Sequence, residues 1–107
     1  IRFGNKTLNF LNRAVEMDDS NYRAYNALGQ YLYFAPKIGG GDKKRAVKVL
    51  KKALASENDY DNFISNMWLG IIMRESENDT VKAKKYFKKA KEIYPENPWL
   101  EEEINKL

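Results

Sequence analysis

Apolar residues recur three and four apart along most of the chain, and the period-two alternation of a half-buried strand is nearly absent. That spacing lines them up on one face of a helix, so the pattern predicts an all-α chain. The first helix is expected over residues 5 to 17, with Leu8, Leu11, Val15 and Ala14 turned inward. Met17 to Asn21 is a short turn in which Ser20 or Asn21 can cap the second helix. That helix runs from about Tyr22 to Phe34 and is stopped by Pro36. Ile38 and three glycines then make a loop, and Asp42 is a good N-cap for a third helix from Lys43 to Ala55. Residues 57 to 62 read as polar loop. A fourth helix is expected from about Phe63 to Glu75. The turn SEND leads to Asp79 as cap of a fifth, Thr80 to Ile93, whose apolar positions are Val81, Ala83, Tyr86, Phe87, Ala90 and Ile93. Asn97 caps a short last helix that begins with Pro98. Its inner stripe is Leu100, Ile104 and Leu107, and Glu101, Glu102 and Glu103 suit a helix start.

The small residues within this pattern are more telling. Ala83, Phe87 and Ala90 share one helix face, so two alanines flank a bulky ring and let a neighbouring helix approach closely. Gly70 supplies a matching notch on the preceding helix, and Pro95 falls where the later helix should stop. The arrangement recurs upstream. Gly29 matches Gly70 at an interval of 41 residues, and Ala46, Leu50 and Ala53 match Ala83, Phe87 and Ala90 at an interval of 37. The extra residues fit the turn PKIGGG and the stretch ENDYDN. Leu11 and Ala14 repeat the three-residue spacing once more.

This set of positions resembles the tetratricopeptide repeat (TPR), a helix-turn-helix unit of about 34 residues. The resemblance covers nearly the whole chain. It implies a right-handed superhelix of antiparallel helix pairs, about two and a half repeats, ended by a capping helix. Residues 1–107 would form a single TPR-like domain. Residues 1–19 would be the second helix of a partial repeat, 20–57 and 61–95 two full repeats, and 97–107 the cap. One departure is that the repeat-ending proline is replaced by Asp19 and Asn58 in the first two cases. Proline followed by GGD in the turn inside a repeat is similar to a variant turn of some bacterial TPR proteins of the cell envelope.

Composition narrows the chemistry. The 107 residues suit one small domain, and 43% hydrophobic content is enough for a packed core. With no cysteine there is no disulfide, thiolate nucleophile or zinc thiolate site, and with no histidine the commonest general base and metal ligand is missing. The longest near-continuous apolar run, MWLGIIM, is too short to span a bilayer. The chain starts at Ile1, which reads as a fragment or a processed form. Cytoplasmic and periplasmic locations fit equally.

Several stretches invite a chemical reading. GGGDKK before a helix could cradle a phosphate, but it lacks P-loop spacing and Asp42 occupies the helix end. NDYDN offers oxygen ligands without the glycine and closing glutamate of an EF-hand loop. No carboxylate pair sits on an apolar, pocket-forming face, so neither catalysis nor a metal or cofactor is expected. Twelve of the nineteen Lys and Arg residues lie on the third and fifth helices: Lys43, Lys44, Arg45, Lys48, Lys51 and Lys52, then Lys82, Lys84, Lys85, Lys88, Lys89 and Lys91. Their charge could attract nucleic acid or an anionic surface weakly. The runs are poor in Arg and carry no interleaved exposed aromatics, which argues against nucleic acid.

The resemblance itself implies a protein-interaction module whose first helices line a concave groove for a peptide or helix. The groove positions would be Arg23, Asn26, Ala27, Gln30 and Tyr33 in one repeat and Ile64, Met67, Trp68, Ile71 and Arg74 in the next. Chaperone-binding members hold a terminal carboxylate with Lys and Asn at such places. Here there is no lysine, and Ile64 and Trp68 stand where basic or polar groups would be needed. An apolar groove centred on Trp68 is the expectation. A structural array packing on missing repeats, or on a copy of itself, is the alternative.

Overall fold

A computed structural model describes the backbone of residues 2–107 and side chains from residue 6 onward. The described residues are helical throughout, with no strand: α1 (Arg2–Met17), α2 (Tyr22–Phe34), a short 3-10 turn (Lys37–Gly39), α3 (Lys43–Ala53), α4 (Asp59–Glu75), α5 (Thr80–Ile93) and α6 (Pro98–Asn105). None of these helices is long and apolar enough to cross a membrane. The chain divides into two compact units, Ile1–Ser56 and Glu57–Leu107.

The starts of α2 to α6 are set by short polar side chains placed one residue ahead of each helix. Asn21, Asp42, Asn58, Asp79 and Asn97 each accept a hydrogen bond from the backbone N–H three residues on, at 3.0 to 3.1 Å. Each bond satisfies one of the donors that a helix N-terminus leaves unpaired. Asn58 is the informative case, because the sequence pattern makes residues 57 to 62 a loop. They contribute the first turn of α4 instead, with Asp59 and Asp61 at the positive end of the helix dipole. The helix therefore begins four residues before its first large apolar residue, Phe63. At the other end of the loop, α3 stops two residues short of the expected Ala55. Leu54 and Ala55 donate to carbonyls three residues back, the tighter bonding that closes a helix.

In the first unit, α2 packs on α3 and α1 lies against α2. Leu28, Leu32 and Ala46 form the buried centre, and Leu8, Leu11, Val15, Tyr33 and Val49 pack around it. Gly29 faces Leu50 so closely that a Cβ built on it would lie 2.5 Å from the Leu50 Cγ. Ala46, Leu50 and Ala53 are fully buried. Polar ties run along the edges. The Arg45 guanidinium donates to Asn12 Oδ1 at 2.7 Å, linking α3 to α1. Asp19 accepts from the Tyr25 hydroxyl and from Lys52, both at 3.0 Å. The Lys52 and Tyr25 hydrogen bonds hold the Asp19 carboxyl below the ordinary carboxylate range.

The glycine loop is a built turn. Gly40 has φ of 92°, the left-handed region that glycine enters without penalty. A side chain on Gly41 would collide with the carbonyl of Ala35. Tyr31 donates its hydroxyl to the Gly39 carbonyl at 2.6 Å, and the Asp42 N–H donates to the Leu32 carbonyl at 2.9 Å. The loop is thereby pinned to the end of α2, and its 3-10 turn rests against α1.

In the second unit, α4 packs on α5 and α6 docks at their end. A Cβ built on Gly70 would lie 2.6 Å from the Phe87 ring. Phe87, Ala83 and Ala90 are all buried. Two expectations for this unit fail. Val81, placed among the inward residues of α5, is 70% exposed. It sits in the first turn, on the side of α5 opposite the arc that Ala83, Phe87 and Ala90 define. Leu107, expected in the inner stripe of α6, lies beyond the helix end and is exposed.

Candidate functional site

The residues expected along a ligand groove belong to α2 and α4, and the two sets differ in how much surface they offer. On α2, Arg23 and Ala27 are exposed, Gln30 and Tyr33 are half-buried, and Asn26 is buried. Tyr33 meets Phe34 edge-on, with ring centroids 5.0 Å apart, and Lys43 sits 5.5 Å from the Tyr33 centroid. These rings flank an open concavity of about 1010 Å³ lined by Tyr33, Phe34, Pro36, Lys37, Asp42 and Lys43.

On α4, Ile64 and Trp68 are half-buried, whereas Met67 and Ile71 are buried. Side chains without accessible surface do not reach a partner in this conformation. Within the expected set, accessible surface on α4 therefore comes from Ile64, Trp68 and half-buried Arg74. Trp68 is itself engaged. Its ring lies 5.5 Å from that of Trp99 on α6, and Trp99 lies 6.3 Å from Phe63, which in turn meets Tyr94 at 4.9 Å. The four rings form one aromatic cluster at the α4–α6 end of the unit, held by edge and tilted contacts of the kind aromatic pairs prefer.

Arg74 is committed to the same helix. Its Nη2 lies 2.7 Å from Glu103 Oε1 and its Nη1 donates to the Glu103 carbonyl at 2.8 Å, while Nε pairs with Glu75. Lys106 approaches the other Glu103 oxygen at 3.0 Å. Burial on its own would push the Glu103 carboxyl up. The hydrogen bonds from Arg74 and Lys106 outweigh it and hold the group below its ordinary value. Burial would likewise lower Arg74, and the two carboxylates raise it. By sequence alone Glu103 groups with Glu101 and Glu102 as a helix-start acid. The signal that distinguishes it is its position three residues after buried Leu100, on the same helix face.

Elsewhere the polar stretches serve the fold. Asn58 caps α4 through the Asp61 N–H, and among the described residues no group of three or more acidic side chains could hold a metal ion. Asp42 spends its carboxylate on the Arg45 N–H, at the place where an anion would bind. Asn66 is buried. Its Nδ2 donates to Asn62 twice at 2.9 Å, and its Oδ1 has no hydrogen-bond partner. The lysines of α5 are exposed, and so are Lys44, Lys48, Lys51 and Lys52 of α3. Comparison with family models, curated proteins and solved structures finds no match for this chain.

Proposed function

We propose that the chain is a TPR-like protein-interaction module that takes a peptide or helix on the first helix of a helix pair, without enzymatic activity of its own. The observation that carries this reading is the repeated notch. Gly29 against Leu50 and Gly70 against Phe87 are the same close approach made twice by two helix pairs, each with alanines flanking the bulky residue. Repeat architectures build on such units, and helix grooves bind partners through a few apolar anchors. The accessible members of the expected set are Arg23, Ala27, Gln30 and Tyr33 on α2 and Ile64, Trp68 and Arg74 on α4. In this reading Trp68 supplies the apolar anchor on α4.

The test starts from a pull-down with the 107-residue chain, continued by affinity measurement on the shortest captured peptide. Trp68→Ala should weaken that peptide at least ~30-fold, on the order of 2 kcal/mol, as truncating a central aromatic anchor does. Lys88→Ala on α5 should leave affinity within about twofold. Equal losses from the two substitutions, or loss of binding only where the fold melts, would remove the groove from consideration.

A further inference from the structure

The outer face of α1 carries exposed apolar side chains. Lys6, Phe10, Arg13, Ala14, Met17 and Asp18 fall on one side of the helix by their spacing. Phe10 is 71% and Met17 82% exposed. They flank half-buried Ala14, and beside them the turn into α2 leaves a concavity of about 630 Å³. Apolar side chains exposed singly are ordinary, but a contiguous set beside a concavity marks an interaction surface. Elsewhere the same spacing is covered: Leu50 with Ala53, and Phe87 with Ala90, are fully buried under a neighbouring helix.

We infer that this face is the contact of a homodimer in which α1 of two copies packs antiparallel about a twofold axis near Asn12. The argument is self-complementarity. The charges at the two ends of the face are opposite, with Lys6 toward the N-terminal end and Asp18 just past the C-terminal end, while exposed Arg13 sits near the middle, where its long side chain can turn to solvent. Antiparallel pairing centred on residue 12 brings Lys6 opposite Asp18 of the second copy. It also sets Phe10 against Ala14 and Met17 against Thr7, bulky onto small in both directions. A twofold contact of this kind uses the same patch on both copies, so each match is made twice. Parallel pairing would instead stack Phe10 on Phe10 and like charge on like. One Asp18 oxygen already accepts from the Ser20 hydroxyl at 2.8 Å, which orients the carboxylate while it stays exposed.

Sedimentation of the 107-residue chain over a concentration series tests this, with circular dichroism of each variant to check the fold. The expected result is a monomer–dimer equilibrium weakened at least tenfold by Phe10→Ser. Lys6→Glu should weaken it and added Asp18→Lys should restore it, because the swap rebuilds the pair in reverse. The chain has no cysteine, so Arg13→Cys, close to the axis, should cross-link two copies on mild oxidation and Lys48→Cys on α3 should not. A monomer at every concentration overturns the inference, as does a dimer indifferent to Phe10→Ser or a charge swap without rescue. A monomer that binds a synthetic peptide of α4, residues 59–75, on this face also overturns it. The face would then be a junction for another repeat helix.

Discussion

Phe87 and Gly70 form the contact on which a single atom decides most. The ring occupies the space a Cβ on residue 70 would need, so Gly70→Ala must move a fully buried ring even though alanine is the better helix former by about 1 kcal/mol. We expect a net loss of ~1–3 kcal/mol, the usual cost of overpacking. Phe87→Leu in the Gly70→Ala background should cost less than Phe87→Leu alone, because the smaller side chain relieves the clash. A thermal-melt double-mutant cycle measures this, and additive losses would show that the two residues do not interact. Ala90→Leu should likewise destabilise by ~1–3 kcal/mol, since Ala90 is fully buried against α4. These contacts were legible in the sequence, because close helix packing needs a small residue facing a large one and helical spacing says which can face which.

At the level of the element, α6 is held by a buried ion pair, by the contacts of Trp99 with Trp68 and Phe63 and by buried Leu100, and the ion pair and the ring contacts can be removed separately. Glu103→Gln keeps the shape but leaves Arg74 without its main counter-charge, and breaking a buried pair typically costs about 3 kcal/mol. The direction of the shift sets the pH dependence. The folded-state carboxyl of Glu103 lies below its unfolded value, so its contribution is complete above the ordinary glutamate range, about 4.3. It is lost as pH falls through the lower folded value. Urea titrations between neutral pH and about pH 3 should show a steeper acid loss in the parent than in Glu103→Gln; parallel curves would mean the pair contributes nothing. Trp99→Phe leaves Trp68 as the only tryptophan, so its emission reports how far α6 covers it. A maximum near that of free indole would show that α6 does not hold Trp68.

Across the whole molecule the asymmetry is one of charge: the chain carries a net +4, and twelve of its nineteen Lys and Arg residues lie on α3 and α5. Lys82 lies 3.9 Å from Asp79 and Lys52 pairs with Asp19. Exposed pairs of this kind add little to stability. If these faces are solvated surface, reversing Lys48, Lys51, Lys85 and Lys88 to Glu leaves the affinity for a captured peptide within a few-fold and its salt dependence nearly unchanged. Complete loss of binding with intact helical content would make the lysine faces the functional surface, with an anionic partner.

Helix positions, caps and the facing of Gly29 and Gly70 on Leu50 and Phe87 were determined by the sequence itself, because each depends on residues a turn or two apart or on one size match between neighbouring helices. Asp42, Asp79 and Asn97 act as the caps their positions predict. The first turn of α4 escapes a reading by periodicity because its polar residues, Asp59 to Asn62, carry no apolar period, and only the Asn58 cap marks the start. What the tertiary structure alone decided was long-range partnership. Arg74 and Glu103 are 29 residues apart, and nothing local tells Glu103 from Glu101 or Glu102 except which face α6 turns inward. Trp68 meets Trp99 for the same reason. A side chain on an amphipathic helix has its face set by its own sequence, but its neighbour is set by where another helix comes to rest.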